Sequence, residues 1–200
     1  RKHEAEGFNL CDQVHCQVNH GRAYRFPLVP KAVEETHELV LVDADINLIT
    51  AAFHSNCGGR TVNSEDVWIS PLPYLRSVDD PYCITMPHAH WEKEIPLAKW
   101  QAYFSRKYSP LFADSSYLCD ITEFCPDGRK VLMTPFIAPT YMKKIRYDWR
   151  LSSALFNVDL LGDSVILQGQ GYGHGVGLCQ EGAIHMAELG HSYKAILHHY

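Results

Sequence analysis

Apolar and polar positions change period several times along the chain, and each change marks an element. Lys31 to Thr36 predicts a short helix. Glu38-Leu-Val-Leu-Val42 and Ile46-Asn-Leu-Ile-Thr-Ala-Ala-Phe53 are rich in β-branched and apolar residues and flank Asp43-Ala44-Asp45, which predicts two strands joined by a hairpin turn. Val62 to Cys83 is loop-like, stiffened around Tyr74 by Pro71 and Pro73. Pro96 opens an amphipathic helix from Leu97 to Tyr108, with Pro110 beyond its end. Ile145–Tyr147, Ala154–Leu160 and Ser164–Leu167 read as strands, the last two joined by a turn at Leu161-Gly162-Asp163. From Gly169 to Gly177 nearly every second residue is glycine, which lets another backbone or a ligand approach closely. Leu178, Ala183, Met186, Ala187 and Leu189 then follow at helical spacing up to Gly190. That stretch predicts strand, glycine loop and helix, with His174 inside the loop. Ser192 caps a last helix running to Tyr200.

The elements add up to an α+β fold of mixed, mainly antiparallel strands with a few packed helices, loop-rich and groove-forming. The expected organisation is a single domain over residues 1–200, with a zinc or disulfide region at 1–30 and a core at 31–200. A hydrophobic content of 46%, with 12% aromatic, is enough for a sizeable core. A net charge of -5 leaves no basic footprint for nucleic acid. No apolar run approaches the roughly eighteen residues of a membrane span. The chain begins Arg1-Lys2-His3 without an initiator Met, so an upstream segment is expected.

Seven cysteines in local pairs point to disulfides or to a metal. Cys11, His15 and Cys16, with His3 or His20 as a fourth donor, offer the nitrogen and sulfur ligands that tetrahedral zinc prefers, and a Cys11–Cys16 disulfide is the alternative. Cys119 and Cys125 bracket a turn-rich stretch that predicts a closed disulfide loop. Cys57 and Cys83 flank a loop-rich segment, and Cys179 is left over. His54-Ser-Asn-Cys-Gly-Gly-Arg-Thr61 stands at a strand end, where clefts are lined. Ser55 and His54 are neighbours on a strand, face opposite ways, and so make a poor nucleophile and base. Trp68 and Tyr74 are either aromatic walls for a sugar or the cover of a small core; Glu65 and Asp66 are the nearby carboxylates. The glycine loop lacks the Lys and the glycine order of a phosphate loop. His174 is either a cleft residue or a core histidine.

Read in order, Leu10-Cys-Asp-Gln-Val-His-Cys-Gln17, His54 to Thr61 with Glu65-Asp-Val-Trp68, Pro73-Tyr-Leu-Arg-Ser-Val78, and Gly171-Tyr-Gly-His-Gly-Val-Gly-Leu-Cys-Gln180 with Gly182-Ala183 make the sequence resemble the stage II sporulation protein D and LytB amidase enhancer family. The resemblance covers nearly the whole chain. It implies a lytic transglycosylase acting outside the cytoplasm on peptidoglycan glycan strands whose stem peptides have been removed. In that chemistry one carboxylic acid protonates the glycosidic oxygen and then takes a proton from the sugar's C6 hydroxyl, closing a 1,6-anhydro ring. The family's acid is a Glu upstream of the region resembling residues 1–17, so this fragment alone is expected to be inactive. Thr61 and Tyr74 match positions implicated in activity; His54, Ser55 and His174 are expected to line the same groove, with Trp68 beside them. The resemblance favours structural zinc at His3, Cys11, His15 and Cys16. The other reading is a non-catalytic module that binds glycan or enhances a cell-wall amidase. Glu181 departs from the aromatic residue of many relatives, and is expected to be either a new hydrogen-bonding group or an exposed first-turn residue.

Overall fold

The structure is a computed structural model that describes residues 3–8, 11, 26–68, 70–108, 115–126, 130, 132–133 and 140–200. The chain divides into two compact units, residues 1–49 and 50–200.

In the first unit, helix α1 spans Leu28–Glu35. It begins earlier than the pattern predicts because Pro30 falls in the first turn, where its missing N–H has no helical acceptor to lose. The expected turn at Asp43 is present: its Oδ1 accepts from the amides of Asp45 at 3.0 Å and Asn47 at 2.9 Å. The two strands predicted on either side are not. Only Val42 and Leu48 form a bridge. Glu38 and Ile46 take positive φ values of 64° each, which interrupts the extended backbone at both ends of the intended ladder.

In the second unit, a three-stranded antiparallel sheet has the order β2, β6, β5, where β2 is His90–Pro96, β5 is Phe156–Leu161 and β6 is Ser164–Gln170. β5 and β6 are the strands predicted, closed by Gly162-Asp163. Strand β2 is not among the predicted elements, because Glu92, Lys93 and Glu94 hide the alternation. Its inward positions are Trp91, Lys93 and Ile95, and Lys93 lays its stem inward while its Nζ donates to the Trp149 carbonyl at 2.6 Å. Gly169 pairs with Trp91, and a Cβ there would collide with the indole. The ring therefore fixes glycine at that position.

One face of the sheet carries Ile95, Phe156, Val158, Val165 and Leu167 into the core. They pack on Trp100 and Phe104 of α3 (Leu97–Tyr108), Ile121 of α4 (Ser115–Thr122) and Ile145 of α5 (Met142–Trp149). Trp100 is fully buried and satisfies its indole N–H on the Ile121 carbonyl at 2.6 Å. Two expectations fail here. Ile145–Tyr147 lies inside a helix that buries Met142 and Ile145 one turn apart. Cys119 sits on α4, and Cys119 and Cys125 are exposed thiols, not a disulfide.

The remaining pieces build the site. Strand β1 (Phe53–His54) pairs in parallel with β7 (Leu178–Cys179), and the single-turn helix α2 covers Ser64–Val67. A small ladder joins β3 (Leu132–Met133) to β4 (Thr140–Tyr141). Helix α6 follows β7 at Gln180–Glu188, and α7 is Tyr193–His199, capped as predicted by Ser192 Oγ accepting from the Ala195 amide at 3.2 Å. The fold is α+β with mainly antiparallel strands. Among the described residues no helix is long and apolar enough to cross a membrane.

Candidate functional site

The glycine stretch and the His54–Thr61 segment come together because each removes bulk from the other. Asn56 and Tyr172 bridge through their backbones, and Gly171 sits at φ 76° where a Cβ would lie 2.6 Å from the Asn56 carbonyl and 2.8 Å from the Gly58 amide. Only glycine fits. The pairing puts His54 beside His174, ring centroids 5.5 Å apart, and Trp68 also lies 5.5 Å from the His174 ring. His54 is buried with Nδ1 3.2 Å from the Val176 carbonyl, and His174 Nδ1 accepts from the Val176 amide at 3.0 Å. Three sequence-predicted groove residues are thus one aromatic row.

Trp68 and His174 line a cavity of about 420 Å³ together with Glu65, Tyr141, Lys143 and Arg146, whereas the buried His54 does not reach it. A second cavity of about 520 Å³ adjoins it, sharing Val62 and Asp66, and is lined by Thr61, Asn63, Gln168 and Gln170. Thr61 is buried; its hydroxyl accepts from the Val78 amide at 2.8 Å and reaches the Arg76 carbonyl at 3.4 Å. Tyr74 uses its hydroxyl to accept from the Thr50 amide at 3.1 Å, and packs beside Val62, Leu75 and Val176. Among the described residues no hydrogen bond joins Thr61 to Tyr74, nor Ser55 to His54. Ser55 is half-buried, and its carbonyl accepts from the Glu181 amide at 3.0 Å.

The carboxylates differ in what they can do. Glu65 is gripped by Arg76, whose Nη1 donates to Oε1 at 2.6 Å and Nη2 to Oε2 at 2.5 Å. This bidentate bond holds its carboxyl down at about 2 from an ordinary 4.5. Glu65 is therefore ionised at neutral pH and cannot deliver a proton. Asp66 Oδ2 accepts from Asn63 Nδ2 at 3.1 Å. Glu181 is buried, not an exposed first-turn residue: it accepts from Asn56 Nδ2 at 2.7 Å and the His88 amide at 3.2 Å, and its other oxygen lies 2.5 Å from His88 Nδ1. Of the two expectations for this residue, the hydrogen-bonding one holds.

Of the zinc set predicted near the start of the chain, His3 stacks on Phe8 with ring centroids 4.6 Å apart, and its Nδ1 is 3.3 Å from Glu6 Oε2. Cys11 is a half-buried thiol. His15 and Cys16 lie outside the described residues. A different metal-competent group is present elsewhere: Cys57, Asp80, Cys83 and Cys179 are all buried, with one donor atom from each within 4.8 Å of the others. Their mutual hydrogen bonds draw the Cys83 thiol down, while those same bonds and burial push Cys57 up. Asp80 and Cys179 were invisible as partners of Cys57 and Cys83 in sequence. The signal that could have found them was an odd cysteine directly at a helix N-terminus.

An α+β domain with an aromatic row above a mixed-charge groove is the class that fold and site define. Comparison with known proteins narrows it. No family model matches the chain. It is 34% identical over 158 residues to stage II sporulation protein D of Bacillus subtilis (strain 168), covering 76% of this chain and 43% of that protein. The Bacillus amyloliquefaciens protein of the same name is 35% identical over 159 residues, again 76% of this chain and 43% of the relative. The amidase enhancer of Bacillus subtilis (strain 168) is 27% identical over 220 residues, 85% of this chain and 31% of the enhancer. The chain is thus similar to stage II sporulation protein D over about three quarters of its own length, and spans less than half the length of these relatives.

Proposed function

We propose that the chain is the groove-forming part of an extracytoplasmic cell-wall protein, a lytic transglycosylase that cleaves denuded peptidoglycan glycan to 1,6-anhydro ends. The observation that carries the reading is the Trp68–His174 pair lining a cavity of about 420 Å³. Aromatic faces pack on the apolar faces of sugar rings, while polar side chains around them orient hydroxyls. Lys143 and Arg146 line the same cavity. They fit the lactyl carboxylate that a muramyl sugar exposes once its stem peptide is gone, which favours denuded over intact strands. Thr61 and Tyr74 act in this reading as residues that shape the groove wall.

Neither Glu65 nor Glu181 serves as the general acid in this reading. Glu65, the glutamate lining the aromatic cavity, is ionised and held by Arg76, and Glu181 is occupied by Asn56 and His88. The test is to digest denuded glycan strands with the protein extended upstream and to analyse the products by mass spectrometry. Anhydro-muramyl ends are expected; reducing ends or intact strands would reject the activity.

A second reading, a module that stimulates a cell-wall amidase, is favoured by the match to the amidase enhancer over 85% of the chain. Stimulation of amide cleavage without new glycan ends would select it.

A further inference from the structure

We propose that Cys57, Asp80, Cys83 and Cys179 bind a zinc-class divalent ion that ties together the segments carrying His54 and His174. Four features of the cluster support this.

The donor set is chemically right. Three sulfurs and one carboxylate oxygen are a zinc-type ligand set, too soft for magnesium or calcium. Their spacing fits too: a tetrahedral ion with bonds of about 2.3 Å to sulfur holds its sulfurs about 3.8 Å apart. Here Cys57 and Cys83 Sγ are 3.4 Å apart, Cys57 Sγ and Asp80 Oδ2 are 3.2 Å apart, and no pair of the four donor atoms exceeds 4.8 Å. Small movements would bring all four onto one centre.

Burial comes next. Cys57, Cys83, Cys179 and Asp80 are each fully shielded from solvent. A carboxylate sealed beside three thiols in a structural core is costly unless a cation accompanies it.

The outer layer is also in place. Backbone amides point at the sulfurs: Cys57 N–H donates to Cys179 Sγ at 3.4 Å, Gly59 N–H to Cys83 Sγ at 3.3 Å, and Gly182 N–H to Cys179 Sγ at 3.4 Å. Asp80 accepts from the Tyr200 hydroxyl at 2.9 Å and from the Tyr82 amide at 3.1 Å. These donors offset the net negative charge that three thiolates and a carboxylate leave around a divalent ion, and they orient the carboxylate. Gly182 completes the arrangement, since any Cβ there would strike Asp80 and Tyr200.

Finally, topology gives the ion a purpose. Cys57 follows His54 on one segment, Cys179 follows His174 on the other, and Asp80 and Cys83 belong to a third. Binding would displace any proton still on a ligand thiol and tie the three segments at one point. The parallel pair β1–β7, only two residues long, would be pinned where hydrogen bonds alone hold it weakly.

The test uses the whole chain, purified under reducing conditions without chelator, in a Cys11→Ser/Cys16→Ser background so that retained metal reports this cluster. About one equivalent of zinc per chain is expected by elemental analysis, and substitution by Co²⁺ should give the thiolate charge-transfer and intense visible bands of a tetrahedral site. Cys179→Ser should abolish both, and Asp80→Asn should weaken affinity by roughly tenfold or more. Should the serine variants fail to fold, alkylation of the wild-type chain decides: Cys57, Cys83 and Cys179 should become reactive on addition of a strong chelator. A folded protein without zinc or a cobalt thiolate band, chelator-independent alkylation, or a Cys57–Cys83 disulfide in the isolated protein would overturn the proposal.

Discussion

Arg76 holds Glu65 through both guanidinium nitrogens, at 2.6 and 2.5 Å, on the rim of the aromatic cavity. The pair removes the most obvious carboxylate of the groove from proton chemistry. In a form of the protein that cleaves glycan, Glu65→Gln should therefore change the rate of cleavage by only a few fold. A loss of about 10²-fold or more, the size expected for a general acid, would make Glu65 the catalyst.

The same pair sets an acid dependence. Because the folded carboxyl sits at about 2 and its ordinary value is 4.5, the pair stabilises the fold above 4.5 and loses that contribution as pH falls toward 2. Unfolding curves of wild type and Glu65→Gln measured at stepped pH should converge across that window. The exposed position of both partners keeps the difference small.

Gly171 and Gly162 both take positive φ, at 76° and 59°, but only Gly171 is crowded by another backbone. Gly162→Ala should cost about 1 kcal/mol, the conformational penalty alone. Gly171→Ala should cost several times more and should disrupt the approach of His54 to His174. Urea unfolding of the two variants checks the ranking, and equal midpoints would contradict it.

Glu181 is buried between Asn56 and His88. Glu181→Ala leaves those donors facing an apolar gap and should lower stability by about 1–3 kcal/mol, with Glu181→Gln intermediate, as read by chemical denaturation. Indifference of both variants would mean that solvent reaches the site.

Much of this fold is legible in the residues. The α3 helix, the β5–β6 hairpin and the strand, glycine loop and helix order around His174 follow from period and from glycine, proline and serine signals that act locally. Other parts are not. Ile145–Tyr147 carries an apolar-polar alternation too short to separate strand from helix, and burial of Met142 with Ile145 decides for helix. Leu39–Val42 has strand composition, yet with positive φ at Glu38 and Ile46 its pairing shrinks to the single Val42–Leu48 bridge. The aromatic residues of the groove could be named from motifs, but their row arises from a contact between segments more than a hundred residues apart. Cys179 joins Cys57, Asp80 and Cys83 only through that contact.

The central claim is that the Trp68–His174 wall binds cell-wall glycan. It is tested most directly by the affinity of the chain for denuded glycan strands, with and without Trp68→Ala. Stacking worth about 1.4 kcal/mol predicts roughly tenfold weaker binding for Trp68→Ala at unchanged fold. Undetectable binding by the wild-type chain, or equal affinities for the two proteins, would contradict it.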